Sequence, residues 1–345
     1  MQEHQITTIN TDLDEQIQKK IDLKTKPLGS LGTLEKIAFK VCQIQQTVNP
    51  KLSKPAILVC AGDHGITQEN VSPFPQEVTF QMVMNFLGGG AAINVFCRQN
   101  NIKLMIADTG VNFDFEPSEQ LLDFKVRKGT RNFAIEPAMT HDECLLAISN
   151  GSKLIEKLHS EGTNIVGFGE MGIGNTTSAT ALLCKYGNYS AQQATGAGTG
   201  LNSDGIKHKA SVIEKALKLH QEIKKPIEIL ATFGGYEIAT ICGAILKAAE
   251  LKMTIMSDGF IATSALIAAH AINPDVIHYC LFAHQSSEQG HKLMLEHLNA
   301  EPILHLGMRL GEGTGSAVAY PLIQSAVNFM NEMSSFEDAG VSNKD

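Results

Sequence analysis

The feature that most constrains the fold of this chain is a series of short apolar runs without polar alternation, most of them followed by a glycine-containing loop and a helix-like segment. Strands of this kind are buried on both faces, because an exposed face would carry a polar residue at every second position. Repetition of strand, loop and helix predicts a mostly parallel α/β sheet with helices on both faces. The predicted strands are residues 56–60, 104–107, 164–166, 227–232, 253–256, 276–279 and 303–306.

The two ends of the chain differ from this pattern. Near the amino terminus, apolar residues recur at three- and four-residue steps, at Leu34, Ile37, Val41 and Ile44. This spacing predicts an amphipathic helix, and a second helix is expected over residues 321–333, before a polar tail. We therefore expect residues 1–50 and about 320–345 to form a small helical domain, and residues 51–319 to form the large α/β domain.

Composition excludes several classes of protein. With 345 residues, 43% of them hydrophobic, the chain can bury a large core, and no apolar run approaches the roughly eighteen residues of a membrane span. The amino-terminal segment lacks the apolar centre and cleavage site of a secretory signal, so we expect a cytoplasmic protein. Seven cysteines, an odd number without a C-x-x-C pair, are expected to be reduced core residues.

The charge of the chain bears on its partners. A net charge of −8, with no cluster of Lys and Arg, argues against nucleic acid or an anionic membrane as partner. An anionic ligand would then be held by helix N-termini and a few placed cations.

Ligands of parallel sheets bind beyond the carboxyl ends of the strands, so the loops there are the candidate site. These loops are residues 61–65, 167–177, 234–235, 257–259 and 307–315. The last of them, GMRLGEGTG, has four glycines in nine residues, which lets backbone N–H groups approach a ligand closely. A loop for phosphate alone would avoid a like charge, so Glu312 is expected to face a part of the ligand that loses a proton or carries positive charge. The alternative is a turn with a solvated glutamate.

Residues 167–172, GFGEMG, match the dinucleotide pattern G-x-G-x-x-G. The acidic residue expected about twenty positions later for the ribose is absent, since residues 185–195 contain no Asp or Glu. A single phosphate at the helix start, held by Gly174, Asn175 and Thr176, fits better and leaves Glu170 for another role.

Three further groups have weaker signals. The loop GAGTG at 196–200, followed by Lys207 and Lys209, is a second phosphate-type loop with cations nearby. His284, Glu288 and His291 are spaced to share one helical face, where they would either bind zinc or form a hydrogen-bonded surface. The pair 63–64, Asp then His, follows a predicted strand and is either an acid–base pair or a turn.

Seven ordered motifs together closely resemble the nicotinate-nucleotide:dimethylbenzimidazole phosphoribosyltransferase family of the cobalamin nucleotide-loop pathway. They are KPLGSLG (26–32), AGDHGI (61–66), QMV (81–83), GGAAIN (89–94), GEMGIGNTT (169–177), SDGF (257–260) and RLGEGTG (309–315). The resemblance runs from about residue 10 to the carboxyl terminus. It implies a homodimer with a Rossmann-like large domain and a small helical domain built from both chain ends.

The resemblance also implies the reaction and the site. Phosphoribose would pass from nicotinate mononucleotide to 5,6-dimethylbenzimidazole, giving α-ribazole 5′-phosphate and nicotinate. We expect no cofactor, and, since the sequence has no paired Cys and no complete set of His and carboxylate ligands, no metal. Glu312 would be the catalytic base, and the base pocket would include Gln81, Glu170 and Leu310. Contacts to phosphoribose and nicotinate would come from Gly174, Asn175, Thr176, Lys209, Arg309, Gly311 and Gly313. Lys207 remains an alternative to Lys209, and the segment that should edge the base pocket, residues 71–75, is proline-rich here.

Two other functions stay open at this point. A nicotinamide-dependent oxidoreductase would share the sheet but needs the missing ribose-binding acid. A non-catalytic nucleotide-binding protein would keep the phosphate loops and have no use for Glu312. The natural acceptor base is not determined by these motifs, because related azoles and purines share the same ring edge.

Overall fold

The computed structural model describes residues 4–198 and 200–342. Thr199 of the GAGTG loop and the outermost residues of the predicted small domain, 1–3 and 343–345, lie outside the described residues. Among the described residues, seven strands form one sheet: β1 Ala56–Gly62, β2 Lys103–Gly110, β3 Leu121–Asp123, β4 Ile165–Met171, β5 Thr254–Ser257, β6 Cys280–His284 and β7 Pro302–Leu304. Their order is β3-β2-β1-β4-β5-β6-β7, and neighbouring strands are parallel. The predicted α/β fold is confirmed.

The helices cover both faces of this sheet. Their bounds are α1 Asp14–Asp22, α2 Thr33–Gln45, α3 Val78–Leu87, α4 Ala92–Gln99, α5 His141–Ser160, α6 Asn175–Gly187, α7 Ala191–Ala194, α8 Ser203–Leu219, α9 Pro226–Phe233, α10 Tyr236–Glu250, α11 Phe260–Ile272, α12 Gln289–His297, α13 Thr314–Glu332 and α14 Phe336–Ala339. Alternate residues of β1 point to opposite faces. Leu58 and Cys60 join the apolar cluster of α5, α6, α10 and α11, whereas Ile57 and Val59 join that of α1–α4 and α13.

Two of the predicted strands are wrong. Residues 227–232 lie in helix α9, which Pro226 begins at its first position. Residues 276–279 belong to a 3₁₀ helix, Pro274–Tyr279, whose start is capped by the side chain of Asn273, and strand β6 follows it. Short apolar runs do not distinguish a buried strand from a buried helical turn, because both are apolar on every side. The sequence analysis also missed the short edge strand β3.

The last long helix begins earlier than predicted. It starts at Thr314, directly after the Glu312 loop, and Pro321 lies inside it. Helix α13 therefore runs from the carboxyl edge of the sheet into the region where the chain ends meet, since Ile323 and Val327 join Ile37 and Val41 in one apolar cluster. The division of the chain into two domains stays a prediction.

Candidate active site

A cavity opens at the carboxyl edge of the sheet, where ligands bind in parallel α/β proteins. Three neighbouring strand ends line it. Strand β4 ends in Glu170 and Met171, Asp258 follows β5, and His284 ends β6. The loops at 61–65 and 234–235 do not line this cavity, and 234–235 follows helix α9 and not a strand.

Glu312 lies in a tightly packed turn of the cavity wall. Its φ of 62° is left-handed, between Gly311 and Gly313, each at 83°, so three successive residues adopt a conformation that costs energy for a residue with a side chain. Its backbone packs on β4, because a Cβ at Gly169 would lie 2.3 Å from the carbonyl carbon of Glu312. This close packing therefore requires glycine both in the strand, at Gly169, and in the loop, at Gly313.

The carboxyl group of Glu312 is buried and only partly satisfied. The residue is 6% exposed, and among the described residues Oε2 has no hydrogen-bond partner. Burial raises the pKa of this carboxyl above its usual range, the backbone N–H of Ile93 at the start of α4 opposes the rise, and the charge of Asp258 adds to it. A buried carboxyl with an unsatisfied oxygen is poised to accept a hydrogen bond or a proton from a ligand.

Glu170 is the second carboxyl of the cavity. The side-chain amide of Asn175 donates to its Oε2, and a Cβ at Gly311 would lie 2.3 Å from its Oε1. Burial first, and then the charges of Glu237 and Asp258, raise the pKa of Glu170 to about 8. Glu170 is therefore mostly protonated at neutral pH and can donate a hydrogen bond.

Asp258 is a third buried carboxyl, which sequence reasoning placed in the loop but not among the site residues. Its Oδ1 accepts the backbone N–H of Ser316 at 2.8 Å, and the N–H groups of Gly315, Gly259 and Gly313 also bond to this carboxyl. Burial still raises the pKa of Asp258 to about 7 against these bonds. Asp258 thus caps the start of α13 and holds the Glu312 loop, a role that depends on two segments more than fifty residues apart in sequence.

The start of α6 and the loop at 196–200 also line the cavity, through Asn175, Thr176 and Gly198, whereas Gly174 and Lys209 do not line it themselves. Gly174, at φ 98°, precedes the first residue of α6, Asn175. The ammonium group of Lys209 donates to the hydroxyl of Thr176 at 2.7 Å. Lys209 is 1% exposed, and burial lowers its pKa to about 8 against the charge of Glu288. The ammonium of Lys207, by contrast, is exposed and lies 3.7 Å from a carboxyl oxygen of Asp204, so of the two lysines it is Lys209 that contacts a residue of the cavity wall, Thr176.

The other predicted site residues are distributed as follows. Arg309 and Gly311 line the cavity, and the guanidinium of Arg309 donates to the carbonyl of Gly198 at 3.0 Å. Leu310 lines the cavity at its rim with 56% of its surface exposed. Gly313 lies behind it, since a Cβ there would be 2.8 Å from Ile57.

Gln81 differs from these residues. It is exposed on α3 and is not part of the cavity wall, whereas Val78 and Met82 of the same helix line it. Phe74, from the proline-rich segment 71–75, also lines the cavity. The apolar side of the cavity is therefore built by the segment and the helix that the sequence indicated, but without Gln81.

The histidine cluster is not a helical face. His284 ends β6, Glu288 precedes α12, and only His291 lies in that helix. His291 accepts the N–H of Ser286 at 2.8 Å through Nδ1, and its Nε2 contacts the hydroxyl of Thr263 at 3.1 Å. Both nitrogens are thus occupied, and within residues 4–198 and 200–342 no three His, Cys, Asp or Glu side chains are grouped to hold a metal.

A parallel α/β sheet whose edge cavity combines a glycine-rich helix start with buried carboxyl groups defines an enzyme site suited to a nucleotide-like ligand. A family model described as phosphoribosyltransferase matches residues 6–341. The chain is 52% identical to nicotinate-nucleotide–dimethylbenzimidazole phosphoribosyltransferase of Janthinobacterium sp. (strain Marseille), over 98% of each chain, and 49% identical to that of Dechloromonas aromatica (strain RCB), over 100% of each. The crystal structure of CobT from Thermus thermophilus superposes with a TM-score of 0.93 at 37% identity, and the match covers 96% of this chain and 100% of that one. The chain belongs to the nicotinate-nucleotide–dimethylbenzimidazole phosphoribosyltransferase family.

Proposed function

We propose that this site transfers the phosphoribosyl group of nicotinate mononucleotide to 5,6-dimethylbenzimidazole. The products are nicotinate and α-ribazole 5′-phosphate, which supplies the lower ligand of cobalamin. The observation that carries the proposal is the Glu312 carboxyl, buried at the cavity wall with one oxygen that has no partner among the described residues. Full-length relatives near 50% identity bear the name of this activity.

The reaction requires one general base and no general acid. The glycosidic nitrogen of nicotinate mononucleotide belongs to a pyridinium ring, so bond cleavage leaves it neutral and needs no proton donor. The benzimidazole attacks through one ring nitrogen, becomes cationic, and must lose the proton on its other nitrogen. A carboxylate at that N–H orients the ring and accepts the proton, which contributes about 10²–10⁴-fold in rate.

Glu312 fits this role better than the other two carboxyl groups. Glu170, whose pKa burial raises to about 8, holds its own proton at neutral pH. The carboxyl oxygens of Asp258 already accept hydrogen bonds from backbone N–H groups at the start of α13. Glu170 is assigned to orienting the ring as a hydrogen-bond donor.

We assign the rest of the cavity wall to two binding regions, one for the benzimidazole ring and one for the phosphate. Phe74, Val78, Met82 and Leu310 offer an apolar wall for the benzimidazole ring. At the other side, the start of α6 and the ammonium of Lys209 suit the phosphate, since a helix N-terminus and a buried cation both favour an anion. We assign Gly174, Asn175, Thr176, Arg309, Gly311 and Gly313 to the same half of the site, as contacts or as backbone supports.

Purified protein incubated with nicotinate mononucleotide and a panel of azoles and purines, with products identified by mass spectrometry, tests the reaction. A new riboside phosphate together with free nicotinate is expected. Reduction of NAD with a hydroxy acid would instead favour an oxidoreductase, which the strand geometry argues against, because Gly167 and Gly169 lie inside β4 and not in a turn. Binding of the mononucleotide without product in any mixture would favour a non-catalytic protein.

We further propose that the protein is a cytoplasmic homodimer. The segment Val78–Gln99 is apolar enough to span a membrane, and 28% of its apolar 18-residue window is buried. It is divided into α3 and α4, of 10 and 8 residues, and each is shorter than the roughly 20 residues a span needs. A second copy of the chain is the occupant we assign to this face.

Exposed apolar side chains occur in this segment and near it, since Leu306 lines a groove together with Ala92 and Phe96 of α4. Met84, Val95, Leu306 and Leu322 are between 37% and 56% exposed. Leu306→Asp should convert dimer to monomer in light scattering, whereas Leu219→Asp, at an equally exposed leucine on α8, should leave the mass unchanged. A parent protein that is monomeric at micromolar concentration contradicts the assignment.

A further inference from the structure

A buried hydrogen-bond network lies beneath the predicted phosphate loop and has no part in the reaction as described. It consists of His64, Ser178 and Glu237, each 0% exposed. Nδ1 of His64 lies 2.9 Å from the hydroxyl of Ser178, and Nε2 lies 2.6 Å from a carboxyl oxygen of Glu237. Because a carboxylate only accepts, Nε2 carries a hydrogen and donates to Glu237. The serine hydroxyl completes the bonding of the ring at Nδ1.

The order serine, histidine, carboxylate is also that of a nucleophilic triad. Here none of the three residues lines the cavity, so no substrate carbon reaches the serine hydroxyl. The network must act through the residues that it holds in place.

The residues held in place by the network include Gly172 and Gly174, in the loop before α6. A Cβ at Gly172 would lie 3.3 Å from the His64 ring and 2.2 Å from the carbonyl oxygen of Gly62. A Cβ at Gly174 would lie 3.2 Å from Cβ of His64. On the other side of the ring, a Cβ at Gly235 would lie 2.3 Å from Cε1. The imidazole is therefore enclosed between the loop before α6 and the turn before α10.

Ser178 connects the imidazole to the helix that the loop begins. It is the fourth residue of α6, in the first turn, and Thr176 lies two residues before it. Thr176 is the residue that accepts the hydrogen bond of Lys209. The bond between His64 and Ser178 thus connects the residue after β1 to the helical turn that follows the glycines and whose Thr176 accepts the hydrogen bond of Lys209.

We propose that His64 is a positioning residue, which, through Ser178 and Glu237, holds the turn 172–176 at the place where it binds the phosphate of the donor nucleotide. The inference rests on the proposed function, because it takes the donor to be a nucleotide with a 5′-phosphate. It predicts an effect that depends on the phosphate, and not a general loss of activity.

The variant Ser178→Ala removes one hydrogen bond and keeps the helix, since alanine is the best helix former. Loss of one hydrogen bond is worth about 0.5–1.5 kcal/mol, so binding of nicotinate mononucleotide should weaken by up to about tenfold. Nicotinate riboside, which has no phosphate, should bind the variant and the parent within about twofold. Titration calorimetry with both donors measures this difference. Ser152→Ala on α5, which removes a serine bond to the carbonyl of Ile148, is the matched control and should change neither affinity.

Two variants of His64 provide the rescue test. His64→Asn retains a polar atom near the position of Nδ1 and should preserve more of the preference for the phosphorylated donor than His64→Ala. The Michaelis constant for nicotinate mononucleotide should rise more than the turnover number falls in each of them. Equal weakening of nucleotide and riboside binding in Ser178→Ala, or no weakening of either, overturns the proposal. A parent that binds the nucleotide but forms no product would refute the proposed reaction and leave this binding test valid.

Discussion

Replacing Glu312 by glutamine removes the proton acceptor and keeps the shape of the loop. The residue adopts a φ of 62°, a strain that glutamate and glutamine share, so the loop should keep its conformation. In glutamine the carboxyl group is replaced by an amide, whose oxygen can still accept a hydrogen bond from the ring N–H. What is lost is proton transfer, which contributes about 10²–10⁴-fold, so the turnover number should fall at least about a hundredfold, or about 2.7 kcal/mol in the barrier.

The pH dependence gives the same prediction a second measurement. Burial raises the pKa of Glu312 above its usual range, so the base is protonated, and inactive, at a higher pH than an exposed glutamate would be. The rate of the parent should therefore fall on the acidic side of this raised pKa. In Glu312→Gln that acidic limb should disappear, because the group whose protonation it reports is absent.

Steady-state kinetics with both substrates saturating, together with calorimetry for nicotinate mononucleotide, separates chemistry from binding. The affinity for the nucleotide should stay within about threefold of the parent, since Glu312 is assigned to the acceptor base. Turnover within about tenfold of the parent would refute the reasoning. Glu312 would then only orient the ring, and Glu170, which would have to be ionised in the complex, would become the candidate for the proton.

Three other measurements test the rest of the site. Lys209→Ala should raise the Michaelis constant for nicotinate mononucleotide by about ten- to a hundredfold, as for a lost charge-assisted bond, whereas the exposed Lys207→Ala should not; equal effects would contradict the assignment. Chelator should leave turnover unchanged, and loss of activity restored by zinc would return attention to His284 and its neighbours. The pKa of Glu170 is raised to about 8, so the folded state keeps a proton that the unfolded chain releases near pH 4.3, and stability falls as pH rises through that window. Glu170→Gln should therefore raise the Tm more at about pH 9 than at about pH 5, and a constant difference would count against a protonated Glu170.

Sequence alone determined the class of fold and predicted the edge of the sheet at which the candidate site lies. Runs such as 56–60 show no polar alternation, which is typical of strands between two helical layers and of buried helices. The segments 167–177, 257–259 and 307–315, at the ends of predicted strands, predicted that Glu170, Asp258 and Glu312 lie at one edge. This inference works because the carboxyl ends of parallel strands meet at a single edge, whatever the details of packing. The motifs added the identity of the family, which the full-length relatives confirm.

Tertiary structure alone decided the features that depend on contacts between distant segments. Residues 227–232 lie in helix α9, of which residues 229–233 are buried, and so short an apolar run shows no period that would distinguish a helix from a strand. Lys209 differs from Lys207 only in the face of α8 that it occupies, and packing of that helix buries one and exposes the other. Asp258 caps α13 and His64 supports the start of α6 through partners that lie far away in the chain. Spacing along the sequence encodes local periodicity, whereas hydrogen bonds between separate elements exist only once the sheet has brought those elements together.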